Sequence, residues 1–260
     1  MLSCNQSCAR WLGALALACA SVPAQSGNLV ETIVTVKRSV VAVGSSQPTR
    51  RPAVNFTGTG FVVGDGLTIV TNSHVVPEAL DSEHKEVLGI VVAQGDGVAF
   101  RPATLEVRDR EHDLARLRIS GAPLPALALG DSDTALEGRQ LAFTGFPLGV
   151  MLGLHPVTHR ALLSAITPAV MPSLASRALD GRSVAQLRSA TPFSLFQLDA
   201  TAYPGSSGSP LFDPDSGAVL GVINMGLVKG TKESAMSNPS GITYAVPGRY
   251  VRELLQHTSP

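Results

Sequence analysis

From Val40 onward the chain is cut into short apolar runs, each closed by glycine, proline, asparagine or aspartate. Val40-Val41-Ala42-Val43 leads into a polar loop from Gly44 to Asn55. Thr59-Gly60-Phe61-Val62-Val63 and Thr68-Ile69-Val70-Thr71 flank Gly64-Asp65-Gly66, whose turn chemistry marks a hairpin. Val87 to Ala93 and Val98 to Leu105 make a second pair around Gln94-Gly95-Asp96-Gly97, and Leu114 to Ile119 is a further strand. Runs this short, with turn signals spaced about 8 to 12 residues apart, point to an all-β sandwich or barrel.

Ala122-Pro123-Leu124-Pro125 reads as a linker between two such sets. Beyond it the expected strands are Gln140 to Thr144, Val157 to Ile166, Phe196 to Asp199, Pro210 to Phe212, Ala218 to Asn224 and Ile242 to Val246. Helical signal is scarce until Gly248 to Gln256, a short C-terminal helix. Residues 169–193 break the rhythm with Pro172, Pro192 and scattered Ser, Arg and Ala, and read as a long surface loop. No repeat of solenoid or propeller length is present.

The first residues have a different character. Arg10 is the only charge before Glu31, the apolar run Trp11 to Ala20 follows it, and Val22-Pro23-Ala24 supplies small residues for cleavage. The apolar run is too short to span a bilayer, and we expect residues 1–24 to be a signal peptide and the location to be periplasmic or secreted. Cys4, Cys8 and Cys19 all lie in that leader, so the expected mature chain offers no disulfide, cysteine nucleophile or thiolate metal site. With 44% hydrophobic residues a sizeable core is within reach, and a formal net charge of +0 with no basic stripe argues against nucleic-acid binding.

Tyr203-Pro204-Gly205-Ser206-Ser207-Gly208-Ser209-Pro210 crowds serines between glycines and prolines. A serine hydroxyl is a weak nucleophile at neutral pH. It needs a general base, usually an imidazole, and the imidazole needs an acid to fix its tautomer. Among six histidines, His74 follows an apolar strand in Thr71-Asn72-Ser73-His74-Val75-Val76, a rigid place from which to present a base. His84 sits in a charged loop and His257 in the tail. His155 and His159 lie around Pro156 in an extended segment and are expected to face solvent. His112 adjoins Asp113, which opens the strand Leu114 to Ile119. Glycines beside Ser207 permit unusual backbone angles and close substrate approach. N–H groups of Gly205 and Ser207 are candidates to hold an oxyanion, each such donor being worth about 3 kcal/mol of barrier. His74, Asp113 and Ser207 occur in the chain order of a chymotrypsin-type triad, whereas the Gly-x-Ser-x-Gly elbow of α/β-hydrolases is not met, because Ser209 and Pro210 follow.

Taken together, "GTGFVV", "TIVTNSHVV", "DLARLRI", "GFPLG", "DATAYPGSSGSPLFD", "GAVLGVIN" and "GITYAVP" closely resemble the trypsin-fold serine proteases of the HtrA (Do-like) branch, over roughly residues 30–255. The resemblance implies two six-stranded antiparallel β-barrels, here residues 25–125 and 126–260, with the site in the cleft between them. Carried over by position, His74 is the base, Asp113 orients it and Ser207 is the nucleophile, with Gly205 and Ser207 forming the oxyanion hole. The chain departs from the family's usual pattern at Ser209, where glycine is commonest, and at Tyr203, where asparagine is common. It ends at Pro260, so peptide sensing by a C-terminal PDZ domain is not expected.

Thr201, six residues before Ser207, is not acidic. With Ile223 and Asn224 it forms the expected substrate pocket, suited to a small or apolar P1 side chain. The activity implied is hydrolysis of polypeptides through an acyl-enzyme, in a setting such as protein quality control, without metal or cofactor. A homo-oligomer is compatible with the family. The alternative is a non-catalytic binding protein or holdase on a protease fold.

Overall fold

The computed structural model describes residues 29–94, 97–147, 155–168, 193–225 and 241–257. The expected leader lies outside these residues, as does all of the 169–193 segment except Phe193. Helix α1 (Leu29–Lys37) is followed by β1 (Val40–Ser46), β2 (Val54–Val63), β3 (Thr68–Asn72), β4 (Val87–Gln94), β5 (Gly97–Asp109) and β6 (Leu114–Ile119). Then come β7 (Gln140–Gly145), β8 (Val157–Pro168), β9 (Ser194–Asp199), β10 (Pro210–Phe212), β11 (Val219–Asn224), β12 (Ile242–Pro247) and helix α2 (Gly248–Gln256). The strands close into two barrels, ordered β1-β2-β3-β6-β5-β4 and β10-β11-β12-β9-β8-β7. Each barrel has six strands, and every strand pairing within them is antiparallel. The expected all-β, two-barrel fold with a C-terminal helix is the observed one.

Many of these strands are buried on both faces, which explains why they read as continuous apolar runs rather than as alternating ones. The two faces serve different cores, because successive side chains point to opposite sides. Val41, Val43, Val62, Ile69 and Leu117 fill the first barrel. Leu141, Phe143, Leu198, Leu211 and Ile223 fill the second. Their sequence neighbours Val40, Ala42, Phe61, Val70, Phe212 and Val222 belong to a third cluster drawn from both barrels and both helices. Burying each such large side chain contributes about 1.5–3 kcal/mol, so this shared cluster resists separation of the barrels.

Helix α1 was not legible in the sequence. Leu29-Val30-Glu31-Thr32-Ile33-Val34-Thr35-Val36-Lys37 is rich in β-branched residues, which favour strands. Tertiary packing overrides that preference. Thr32 and Val36, four apart on one helix face, are buried, and both lie against Gly217, where a Cβ would stand 3.3 and 3.6 Å from their methyl groups. The N-terminal helix thus packs on the second barrel. Conversely, Arg116 of β6 donates from Nη1 to the carbonyls of Leu254 and Leu255, at 3.2 and 3.1 Å, capping the C-terminal turn of α2 from the first barrel. No described helix is long and apolar enough to cross a membrane.

Candidate active site

The register of β3 against β6 brings His74 to Asp113. Asn72 pairs with Leu114 at the end of the ladder, and one further bond runs from Ser73 N–H to the Asp113 carbonyl at 3.0 Å. A single 3-10 turn, Ser73–Val75, then swings His74 out of the barrel. Arg108 braces that turn by donating to the carbonyls of Ser73 (2.9 Å) and Pro77 (3.0 Å). Asp113 itself has a left-handed backbone (φ 53°), uncommon for a residue other than glycine. Asn72 Nδ2 supports it by donating to its carbonyl at 3.0 Å.

The Asp113 carboxylate is surrounded by donors. Its Oδ1 accepts the backbone N–H of His74 at 2.9 Å, and its Oδ2 lies 2.6 Å from His74 Nδ1 and accepts Asn224 Nδ2 at 2.9 Å. Across the ring, His74 Nε2 lies 2.9 Å from Ser207 Oγ. The Met225 N–H approaches the same Oγ at 3.3 Å. With one N–H already directed at its oxygen, the hydroxyl has its own proton to give toward Nε2. The structure therefore brings His74, Asp113 and Ser207 into one hydrogen-bonded line, with the first two on the first barrel and Ser207 just before β10 of the second. The His74 side chain keeps 38% of its surface exposed, whereas Ser207 at the end of the line is 5% exposed.

The loop carrying Ser207 is held on all sides. Ser206 N–H donates to Tyr203 O (2.9 Å), Gly208 N–H to Ile223 O (2.9 Å) and Ser209 N–H to Ser206 O (3.1 Å). The N–H groups of Gly205 and Ser207, the pair expected to meet an oxyanion, spend no hydrogen bond on any described group. Gly205 (φ +99°) and Gly208 (φ +86°) adopt backbone angles that side-chain-bearing residues avoid. A Cβ on Gly208 would overlap the Thr59 carbonyl oxygen, and one on Gly205 the Phe146 carbonyl oxygen.

The other expected residues fall in different places. Ile223 is fully buried in the core of the second barrel. Asn224 is 1% exposed, and its Nδ2 is directed to Asp113 Oδ2. Thr201 alone of the three expected pocket residues keeps appreciable surface. His159 does not face solvent as expected. The β7–β8 register pairs it with Phe143, and its ring stacks on that phenyl at 5.0 Å. Burial holds its pKa below the ordinary imidazole value.

Next to the line, His112 stacks on Tyr250 at 4.1 Å and its Nδ1 lies 2.7 Å from Asp109 Oδ2. Burial opposes a charge on this ring, but the Asp109 hydrogen bond and nearby carboxylates outweigh it and raise the His112 pKa. Ser209 is buried, and its Oγ has no partner among the described residues. Gly145 makes room for it, since a Cβ there would overlap that oxygen. No group of three or more His, Cys, Asp or Glu able to hold a metal occurs among the described residues.

Comparison with known proteins agrees with this architecture. The trypsin-like peptidase domain family matches residues 58–222. The chain is 31% identical over 211 residues to the mitochondrial serine protease HTRA2 of Drosophila pseudoobscura pseudoobscura, and 32% identical to that of Drosophila willistoni. These alignments cover 80% of this chain and 40% of each relative, so the chain spans about two-fifths of the length of the curated relatives it matches. Among solved structures, the HtrA-type protease AlgW with a tripeptide superposes with a TM-score of 0.62 at 25% identity, over 88% of this chain and 62% of that one. AlgW with a decapeptide gives 0.61 at 24%, over 88% and 66%. The matched domain takes in His74, Asp113 and Ser207 along with most of both barrels, and on that ground the chain belongs to the trypsin-like peptidase family, with its similarity running to the HtrA-type serine proteases.

Proposed function

We propose that the protein is a serine endopeptidase in which Ser207 is the nucleophile, His74 the general base and Asp113 the residue that orients it. The observation that carries this reading is the pair of contacts on the two His74 nitrogens, 2.6 Å to Asp113 and 2.9 Å to Ser207. Asp113 accepts from Nδ1 and leaves Nε2 unprotonated toward Ser207 Oγ. As Oγ attacks the scissile carbonyl, its proton passes to Nε2, and the imidazolium so formed faces the carboxylate. The carbonyl oxygen, now negative, is met by the unspent N–H groups of Gly205 and Ser207. His74 then protonates the leaving amine, and water, activated by the same imidazole, releases the acyl group from Ser207.

Thr201 in place of an acidic residue supports a small or apolar P1 side chain, and a peptide library cleaved only after Lys or Arg would overturn that preference. The two barrels support a division near residue 125, with residues 25–125 and 126–260 acting as halves of one catalytic unit. Residues 1–24 support an exported protein, whether periplasmic or secreted, although the curated relatives carry a mitochondrial label. Unfolded polypeptide is the substrate class consistent with a quality-control role. Cleavage of an unfolded protein such as casein by the wild type, lost by about 10⁴-fold or more in Ser207→Ala, tests the function. Equal cleavage by both would refute it and would favour a binding protein on the same fold.

A further inference from the structure

The hydroxyl of Thr59 sits at the seam between the barrels and touches the catalytic loop without belonging to the triad. Thr59 lies on β2, between Gly58 and Gly60, and is fully buried. Its Oγ1 donates to the Gly205 carbonyl at 2.7 Å and accepts the N–H of Phe146 at 3.0 Å. Its backbone N–H donates to the Ser207 carbonyl at 2.8 Å. Its own carbonyl accepts Thr71 Oγ1 at 2.6 Å and fills the space that a Cβ on Gly208 would need. One residue of the first barrel thus grips the nucleophile loop of the second at Gly205, Ser207 and Gly208.

The Gly205 contact matters most for chemistry. The peptide unit joining Gly205 to Ser206 is held at both ends, its oxygen by Thr59 Oγ1 and its N–H by the Tyr203 carbonyl at 2.9 Å. Gly205, at φ +99°, has no side chain to resist rotation. The Gly205 N–H belongs to the preceding peptide unit, so Thr59 fixes it through the placement of Gly205 itself. Without the hydroxyl, the Gly205 carbonyl and the buried Phe146 N–H both lose a partner, and a shift of Gly205 to recover one would carry its N–H with it. A misplaced donor is felt in the transition state, where the oxyanion forms, and little in ground-state binding.

We infer that Thr59 is a positioning residue that keeps the Gly205 N–H aimed at the oxyanion through its hydrogen bond to the Gly205 carbonyl. This rests on Ser207 being the nucleophile. The test compares Thr59→Val, which keeps the branched shape and drops the hydroxyl, with Thr59→Ser, which keeps the hydroxyl. Thr59→Val should lower kcat by about 10- to 100-fold with KM within about 3-fold, in line with partial loss of one oxyanion donor. Thr59→Ser should stay near wild type.

A substrate-like peptide aldehyde, whose adduct carries the oxyanion, should bind Thr59→Val more weakly by a similar factor, while a non-covalent peptide inhibitor binds unchanged. The midpoint of the pH–rate profile should not move, because His74 is untouched. Should Thr59→Val not fold, Thr59→Ala, which avoids burying a methyl against two polar groups, is measured in the same way. Wild-type kcat in a hydroxyl-less variant, or a kcat loss without weaker aldehyde binding, overturns the inference. Ser207→Ala run alongside separates the two claims. If it remains active, the catalytic reading itself falls and this inference with it; if it is inactive while the hydroxyl-less variant is not, only the role of Thr59 falls.

Discussion

Asp113→Asn changes one atom of the site and should nearly silence it. The carboxylate accepts three hydrogen bonds, from the His74 backbone N–H at 2.9 Å, from His74 Nδ1 at 2.6 Å and from Asn224 Nδ2 at 2.9 Å. An amide has only one oxygen, so one of its two positions must become a donor. If the NH₂ replaces Oδ2, it opposes Asn224 Nδ2 and forces His74 Nδ1 to accept. The ring proton then sits on Nε2, facing Ser207, and the base is lost. If the NH₂ replaces Oδ1, it opposes the backbone N–H of His74, at a cost of about 1–3 kcal/mol for the unpaired donors. In triads of this kind the asparagine change lowers kcat about 10⁴-fold, equivalent to roughly 5.5 kcal/mol of barrier. Asn224→Ala removes only one of the three donors and should cost about 10-fold. The assay is kcat on a peptide that the wild type cleaves, with thermal unfolding run in parallel. A folded Asp113→Asn protein with kcat within about 10-fold of wild type would refute the reasoning.

Three further outcomes follow from the same geometry. Gly208→Ala must adopt φ near +86° and overlap the Thr59 carbonyl; chemical denaturation should show a loss above the roughly 1–2 kcal/mol of left-handed strain alone, and wild-type stability would contradict it. Glu86 accepts from Ser45 Oγ (2.5 Å), from the Asp81 N–H (3.0 Å) and from Arg50 (2.8 Å), which lowers its pKa from 4.5 to about 2. A depressed carboxylate stabilises the fold above its unfolded pKa and loses that contribution as pH falls through the folded one. Glu86→Gln should therefore lower stability at neutral pH by up to roughly 3 kcal/mol and flatten the decline between about pH 4.5 and 2, and an unchanged acid-denaturation curve would contradict this. Ser209→Ala removes a buried hydroxyl that has no described partner; it should leave stability unchanged or raise it by about 1 kcal/mol, and a loss of 2 kcal/mol or more would mean that the hydroxyl has a partner.

Much of the fold was legible because each strand carries its own signal. The Gly64-Asp65-Gly66 turn, with φ of +61° and +78° at its glycines, closes the hairpin expected of it, and β6 and β10 begin and end where their apolar runs do. Helix α1 was hidden because its β-branched residues speak for a strand, and tertiary packing, including the contact of Thr32 and Val36 with Gly217, makes it a helix. Side-chain destinations were harder than strands. Asn224 sits at the end of β11, and nothing local shows that its amide turns toward a carboxylate 111 residues earlier. His159 looked exposed until the β7–β8 register laid it on Phe143. Thr59 was part of a quoted motif, but its role depends on a loop 146 residues downstream. Such pairings are set by strand register within a barrel or by how the barrels meet, and no local pattern encodes them.

Reaction with a fluorophosphonate tests the central claim most directly, because that reagent needs an activated serine and an oxyanion site together. Labelling should be stoichiometric, map by mass spectrometry to Ser207 rather than to Ser206 or Ser209, and disappear in His74→Ala. A folded protein that takes no label, or takes it on another serine, would contradict the account.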